Sequence, residues 1–180
     1  MRKFIFIVVL SIVGLSAIAQ QPKQNEQETS NAEKFSERSG SLIQKEFIEV
    51  GQLKKCELKV IHYTDLISTQ NTSALKFEYE YKSSYTADTK AAVLDADEID
   101  GLIKSIKLIQ EKIYPSTPLN YTEVSFRSRS GFEAGCFSSK NSWSAYIKLE
   151  KFDSNSYVFI DKEDLIKLLT LLEQAKLILK

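Results

Sequence analysis

The amino-acid sequence predicts an α+β fold in which antiparallel β-meanders are each followed by a helix that packs on the sheet. Two observations support this prediction. Several short stretches alternate apolar and polar residues, which is the period of a half-buried strand, and two longer stretches repeat apolar residues at the period of one helix face. The helical stretches follow the strand-like ones, so the element order is strands, helix, strands, helix.

Residues 1–19 have the pattern of a signal peptide. Two basic residues precede an apolar run over residues 4–15, and Ala17-Ile18-Ala19 supplies the small residues that a signal peptidase accepts. The run is shorter than the roughly 20 apolar residues of a membrane-spanning helix. We therefore expect a periplasmic or secreted mature protein that begins at Gln20 and has no membrane anchor.

The remaining chain divides by composition into a leader and one domain. Residues 20–41 are rich in Gln, Glu, Asn and Ser and predict a disordered polar leader, whereas residues 42–180 have the size of a single domain. The 24 basic and 24 acidic residues of the chain cancel. Nucleic-acid binding needs a basic face that neutralises phosphates, so this balance argues against a nucleic-acid partner.

The first half of the domain contains strand-like stretches. "KEFIEVG" at 45–51 predicts an edge strand, and a second strand is expected over residues 56–66. "LKFEYEYK" at 75–82 alternates Leu, Phe and Tyr with charged residues and gives the clearest strand pattern, with one buried and one wet face. The apolar "AAVL" at 91–94 follows.

The acidic stretch "LDADEIDGLIKSI" then raises two alternatives, a calcium loop or a helix start. An EF-hand loop counted from Asp95 places isoleucine at positions 5 and 12, where oxygen ligands are needed, and Asp100 where glycine is needed. A helix start fits better, since Asp95 can act as N-cap with Glu98 three residues later. Apolar residues recur at helical spacing from there to Tyr114, which precedes a proline.

A second copy of this pattern, "IDKEDLIKLLTLL", occupies residues 160–172. Asp161 corresponds to Asp95 and Asp164 to Glu98, and each copy follows an apolar strand-like stretch. Either both copies have the residue pattern that is common at helix N-termini, or they are the trace of an internal duplication.

The second half contains four strand-like stretches before its helix. These are "YTEVSFRS" at 121–128, "GFEAGCFS" at 131–138, "SWSAYIKLE" at 142–150 and "YVFI" at 157–160, separated by turn signals. In element order the chain resembles the β-β-β-β-α repeat folds, which include the Whirly and PUR-type nucleic-acid modules. That resemblance concerns the fold and implies no function.

Few residues suggest catalytic or redox chemistry. His62 is the only histidine, which leaves no set of imidazoles for a zinc site, and we interpret it as a strand residue. Cys56 and Cys136 both fall on apolar faces of their strands. They either form a disulfide, which export permits, or are small buried hydrophobic residues.

Candidate ligand-binding residues occur at two kinds of position. Arg127 and Arg129 lie beside a glycine turn and predict a small exposed basic spot for a carboxylate or phosphate group. Tyr79, Tyr81 and Tyr146 are candidates for lining a sugar or lipid pocket. The alternatives are surface charge that protects a strand edge and packing in the core.

These observations favour an exported, soluble, non-enzymatic binding or interaction module. The sequence shows no nucleophile motif, phosphate loop or metal-ligand spacing, so we predict no cofactor and no metal. The ligand or partner stays unknown at this point. One alternative is a periplasmic hydrolase that uses carboxylate and Tyr side chains, and another is an accessory subunit of an envelope assembly with the leader as its tether.

Overall fold

The computed structural model describes residues 29–140 and 142–179. The predicted signal peptide and residues 20–28 of the predicted leader lie outside these residues. In chain order the helices and strands are α1 (Asn31–Ser36), β1 (Ile43–Leu53), β2 (Cys56–Asp65), β3 (Asn71–Lys82), β4 (Ala87–Asp95), α2 (Ile99–Leu108), β5 (Glu123–Arg127), β6 (Glu133–Ser139), β7 (Ser142–Lys148), β8 (Tyr157–Ile160) and α3 (Lys162–Ile178).

The strands form two antiparallel four-stranded sheets with the strands in chain order. The first sheet is β1-β2-β3-β4 and is followed by α2, and the second is β5-β6-β7-β8 and is followed by α3. The predicted α+β fold with a helix after each set of strands is confirmed. A 3-10 turn (Ala96–Glu98) precedes α2, and a turn of π-helix (Ile109–Ile113) extends it.

Each of the two long helices contacts the sheet of the other half. α2 contacts β5 and β6, α3 contacts β1 and β2, and the two helices contact each other. The inward side chains of both sheets and of both helices form one buried cluster, in which the rings of Phe77 and Phe132 lie 4.8 Å apart. Because neither half buries its apolar face alone, the two halves share one hydrophobic core.

The two cysteines are part of that core and are not bridged. Cys56 in β2 and Cys136 in β6 are both buried and free. Burial raises the pKa of the Cys56 thiol to about 12 and that of Cys136 to about 11, so both are protonated at neutral pH. Of the two alternatives, the structure shows small buried thiols.

The short helix α1 corrects the prediction of a disordered leader, which is wrong for residues 31–36. Ala32 and Phe35 are buried on the outer face of the first sheet, in a cluster with Ile61 and Tyr63 among others. The helix begins with a capping box in which the Glu33 side chain and the Ser30 side chain bind each other's backbone N–H groups. The two apolar residues, three positions apart, pack this short helix against the sheet.

None of the helices in the described ranges is both long and apolar enough to cross a lipid bilayer.

Candidate functional site

The second sheet has two chemically different faces. Its inner face carries small or aliphatic side chains that pack in the core, among them Ala134, Cys136, Ala145 and Ile147. Alternation along the strands sends their neighbours to the outer face. This outer face carries aromatic and charged side chains.

An open groove with a volume of about 550 Å³ runs over this outer face. Six aromatic residues line it: Tyr121, Phe137, Tyr146, Phe152, Tyr157 and Phe159. Five charged residues complete the lining: Glu123, Arg127, Glu133, Lys148 and Lys151. We call this the aromatic groove. Its volume lies within the range of small-molecule sites, about 300–1,000 Å³.

The rings form a floor and a rim. Tyr146 is the floor, since it is 8% exposed and its ring centroid lies 5.2 Å from that of Tyr157 and 6.3 Å from that of Phe137. Phe159 belongs to the rim, with 61% of its surface exposed and its ring nearly parallel to Tyr157 at 5.8 Å. Gly135 lies directly across from Tyr146 in the strand pairing and adds no side chain there.

The polar groups of the groove are held by specific contacts. Arg127 Nη2 donates to Glu133 Oε1 at 2.8 Å, and the Tyr121 hydroxyl donates to the Glu123 carboxylate. Desolvation by burial raises the pKa of the Tyr146 phenol to about 12, so it is protonated and able to donate at neutral pH. The groove therefore offers hydrogen-bond donors and acceptors beside exposed ring faces.

The structure brings together two of the five predicted ligand-binding residues, Arg127 and Tyr146. Tyr79 and Tyr81 lie instead on β3 and face the main core. The hydroxyl of the buried Tyr79 donates to the backbone carbonyl of Asn155. For Tyr79 and Tyr81 the structure therefore shows the alternative, packing in the core, because the aromatic side of β3 is its inner side.

Arg129, the fifth predicted residue, lies outside the aromatic groove. β5 ends at Arg127, and Arg129 follows in the turn, where its Nη1 donates to Asp95 at 2.8 Å and to Asp97 at 2.9 Å. Hydrogen bonding to Arg129 lowers the pKa of Asp97 below its usual value. Arg129 therefore pairs with carboxylates at the start of α2, whereas Arg127 lines the aromatic groove.

The acidic stretch at 95–98 is a helix start, as predicted, and also a junction. Glu98 accepts the backbone N–H of Asp95 at 3.0 Å. The Asp95 carboxylate accepts the backbone N–H groups of Asn31 and Ala32 in α1, at 2.8 and 2.9 Å, in addition to the Arg129 guanidinium. These contacts hold α1, the start of α2 and the β5–β6 turn together.

Calcium should therefore have no effect on stability. The carboxylates of Asp95 and Asp97 are occupied by amides and by a guanidinium, and no group of acidic, His or Cys residues in the ranges 29–140 and 142–179 is arranged to hold a metal ion. A cation that bound only the folded state would raise the melting temperature. We expect thermal melts in millimolar calcium and in chelator to superimpose. A rise with calcium that Asp97→Ala abolishes would contradict this.

His62 has a structural partner on the first sheet. Its Nδ1 atom lies 2.6 Å from the Oγ atom of Ser73, the residue directly opposite in β3. His62 is not among the residues that line the aromatic groove. The structure thus places the histidine within the sheet, as interpreted from the sequence.

Sequence reasoning missed five of the six rings, Tyr121, Phe137, Phe152, Tyr157 and Phe159. In "YVFI" every residue is apolar or aromatic, which predicts a strand buried on both faces. The structure buries Val158 on one face and leaves Phe159 on the other exposed. In this strand the two faces differ in residue type, because the aliphatic Val158 and Ile160 alternate with the aromatic Tyr157 and Phe159. This alternation is the sequence signal that could have identified the outer face.

Comparisons with protein-family models, with curated proteins and with solved structures found no match to this chain.

Proposed function

We propose that the protein is an exported, non-enzymatic binding module that recognises saccharides through the aromatic groove. The observation that carries this proposal is the set of aromatic rings on the solvent side of the second sheet, with Tyr121, Phe152 and Phe159 each more than half exposed. A sheet face that meets only water usually carries polar residues. An exposed group of rings bordered by charged side chains is typical of an interaction site.

Saccharides match the two kinds of group in the groove. A pyranose ring has an apolar face of C–H bonds, which carry a small positive partial charge and are attracted to the negative face of an aromatic ring. Its hydroxyl groups project from the rim of the sugar and need donors and acceptors at the sides. The Arg127–Glu133 pair and the phenol of Tyr146 supply both kinds of group beside the rings.

The charged lining favours a polar ligand over a protein partner. The buried centre of a protein–protein interface is depleted in Lys, Glu and Asp. The aromatic groove contains Lys148, Lys151, Glu123 and Glu133 among its eleven lining residues. An accessory subunit that bound its partner through this face would have to desolvate these charges. Because of this cost, we rank a role in an envelope assembly second.

The backbone positions of the two carboxylates of the groove, Glu123 and Glu133, lie further apart than the two carboxyl groups of a glycoside hydrolase. Such enzymes hold two carboxyl groups about 5–9.5 Å apart across the bond that is cleaved. Glu123 pairs with Phe137, which is four residues along β6 from Glu133, so the two backbone positions are about 13 Å apart. Each carboxylate is also bound to a neighbouring side chain, Tyr121 in one case and Arg127 in the other. We therefore propose binding without cleavage.

Phe159→Ala should weaken saccharide binding about tenfold, because it removes an exposed ring face worth roughly 1.4 kcal/mol of contact. The protein is first screened on a glycan array, and the affinity for the strongest oligosaccharide is then measured by isothermal titration calorimetry. The fold should survive, since Phe159 is 61% exposed.

Phe47→Ala is the matched control. Phe47 is 53% exposed and lies on β1 of the first sheet, outside the groove. It should leave the affinity unchanged. The absence of any saccharide ligand, or equal losses in the two variants, would refute the proposal.

A further inference from the structure

The aromatic groove has two chemically different ends. Arg127, Glu133, Lys148 and Tyr157 lie directly opposite one another on the four strands and form a row across one end. Lys151, in the turn that follows β7, lines the same groove. Glu123 and Phe137 form a pair at the other end. The cationic side chains of the groove are therefore concentrated at the end marked by Arg127 and Lys148.

The positive charge at this end exceeds the negative charge. Glu133 is the carboxylate of the row, and it binds Arg127 at 2.8 Å. The Lys148 ammonium donates to the backbone carbonyl of Lys151 at 2.7 Å and lies 5.0 Å from the centroid of the Tyr157 ring, and neither group has a formal charge. Its charge also acts on the nearby Asp153, but that carboxylate is bound to Lys90 at 2.5 Å.

Arg127 has donors left for a ligand. A guanidinium has five N–H groups, and the contact with Glu133 uses Nη2. The Arg127 side chain is 54% exposed, so the other donors are accessible from the groove. A carboxylate or sulfate group between Arg127 and Lys148 would receive charge-assisted hydrogen bonds, which are about twice as strong as those between neutral groups.

Resting on the saccharide-binding function proposed above, we infer that the ligand is an anionic saccharide, one whose sugar rings carry carboxylate or sulfate groups. The sugar ring would stack on the exposed rim ring of Phe159 while its anionic group lies at the cationic end beside Lys148. The two requirements are met side by side, because Tyr157 is the direct strand neighbour of Lys148 and its ring is nearly parallel to that of Phe159.

The test compares oligosaccharides of equal length by calorimetry at about 150 mM salt, where weak surface electrostatics are screened. The probes are a galacturonic acid heptamer, maltoheptaose as its neutral counterpart, a sulfated maltoheptaose and polyglutamate as an anion without sugar rings. The wild-type protein should bind the galacturonic acid or the sulfated heptamer at least about tenfold more tightly than maltoheptaose and polyglutamate. Which of the two anionic heptamers is preferred identifies the anionic group.

Lys148→Gln should reduce the affinity for the preferred anionic heptamer about tenfold and leave that for maltoheptaose unchanged. Lys82→Gln is the control, since Lys82 lies at the end of β3 with a 70% exposed side chain and pairs with Glu80 there. It should have no effect on either ligand.

The outcomes separate the inference from the function on which it rests. Equal affinity for neutral and anionic heptamers, with no effect of Lys148→Gln, would overturn the inference and leave saccharide binding intact. Polyglutamate binding as tightly as the sugars would overturn the inference by showing that charge alone is recognised. If none of the saccharides binds, the inference and the proposed function both fail.

Discussion

Asp95→Ala should lower the free energy of unfolding by about 3 kcal/mol, more than an ordinary helix cap contributes. The Asp95 side chain is 8% exposed and accepts the backbone N–H groups of Asn31 and Ala32 together with the guanidinium of Arg129. Its removal leaves the backbone N–H groups of Asn31 and Ala32 without an acceptor and takes a buried carboxylate away from Arg129. A loss of this size would be visible as a shift of the urea unfolding midpoint.

The variant should act first on α1. The first amides of α1 are bound to Asp95, and the rest of the helix is held chiefly by the burial of Ala32 and Phe35. Hydrogen exchange over residues 31–36 should therefore accelerate strongly, while exchange in β2 and β3 changes only as far as global stability falls. Asp95→Asn should lower the free energy of unfolding by less than Asp95→Ala, because the amide side chain keeps one acceptor oxygen. It should still be destabilising, because the charge that binds Arg129 is lost.

Asp161→Ala is the comparison that isolates the junction. Asp161 accepts the backbone N–H of Asp164 at 2.9 Å and caps α3 at the position equivalent to Asp95, but its side chain is 62% exposed. It should be clearly less destabilising and should not alter exchange in α1. Equal losses for the two alanine variants would mean that the contacts of Asp95 with α1 add nothing to the cap.

Most strands and both long helices could be predicted from the sequence, because each leaves a pattern within its own residues. The alternation in β3 and the two helix starts at Asp95 and Asp161 set strands and helices where the structure has them. The placement of α2 on the second sheet and of α3 on the first depends on contacts between distant segments, which no local pattern records. Helix α1 did leave a local signal, since Ser30 and Glu33 have the spacing of a capping box.

The aromatic groove was harder to predict from the sequence, because its residues are identified only when the buried and the exposed face of each strand are known. Alternation shows that Tyr79 and Tyr81 share a face of β3 with Leu75. It does not show that the aromatic face of β3 is buried, whereas the aromatic face of β8 carries the exposed Phe159. Arg127 and Arg129 are two residues apart, which in a strand would place them side by side. The strand ends between them, so one lines the groove and the other closes the junction at Asp95.

Gly135→Ala should also destabilise the protein by about 3 kcal/mol, through steric conflict in the middle of the second sheet. A Cβ atom at this position would lie 2.3 Å from the carbonyl oxygen of Val124 and 2.9 Å from the Cα atom of Ser125. Both are backbone atoms of β5, so the strand itself must move. β5 pairs with β6 over its whole length and is also contacted by α2, so moving it disturbs both sets of contacts.

Gly101→Ala is the control for this variant and should have the opposite sign. Gly101 lies in α2, and the nearest atom to an added Cβ is Cε2 of the Phe126 ring at 3.4 Å, an ordinary contact. Alanine is favoured over glycine inside a helix by about 0.5–1 kcal/mol, so stability should rise by that amount. The two variants are compared by urea unfolding. A Gly135→Ala protein as stable as the wild type would show that β5 can shift away from β6 at no cost. In that case Glu123 and Arg127, which β5 contributes to the aromatic groove, would be held less firmly than the structure indicates.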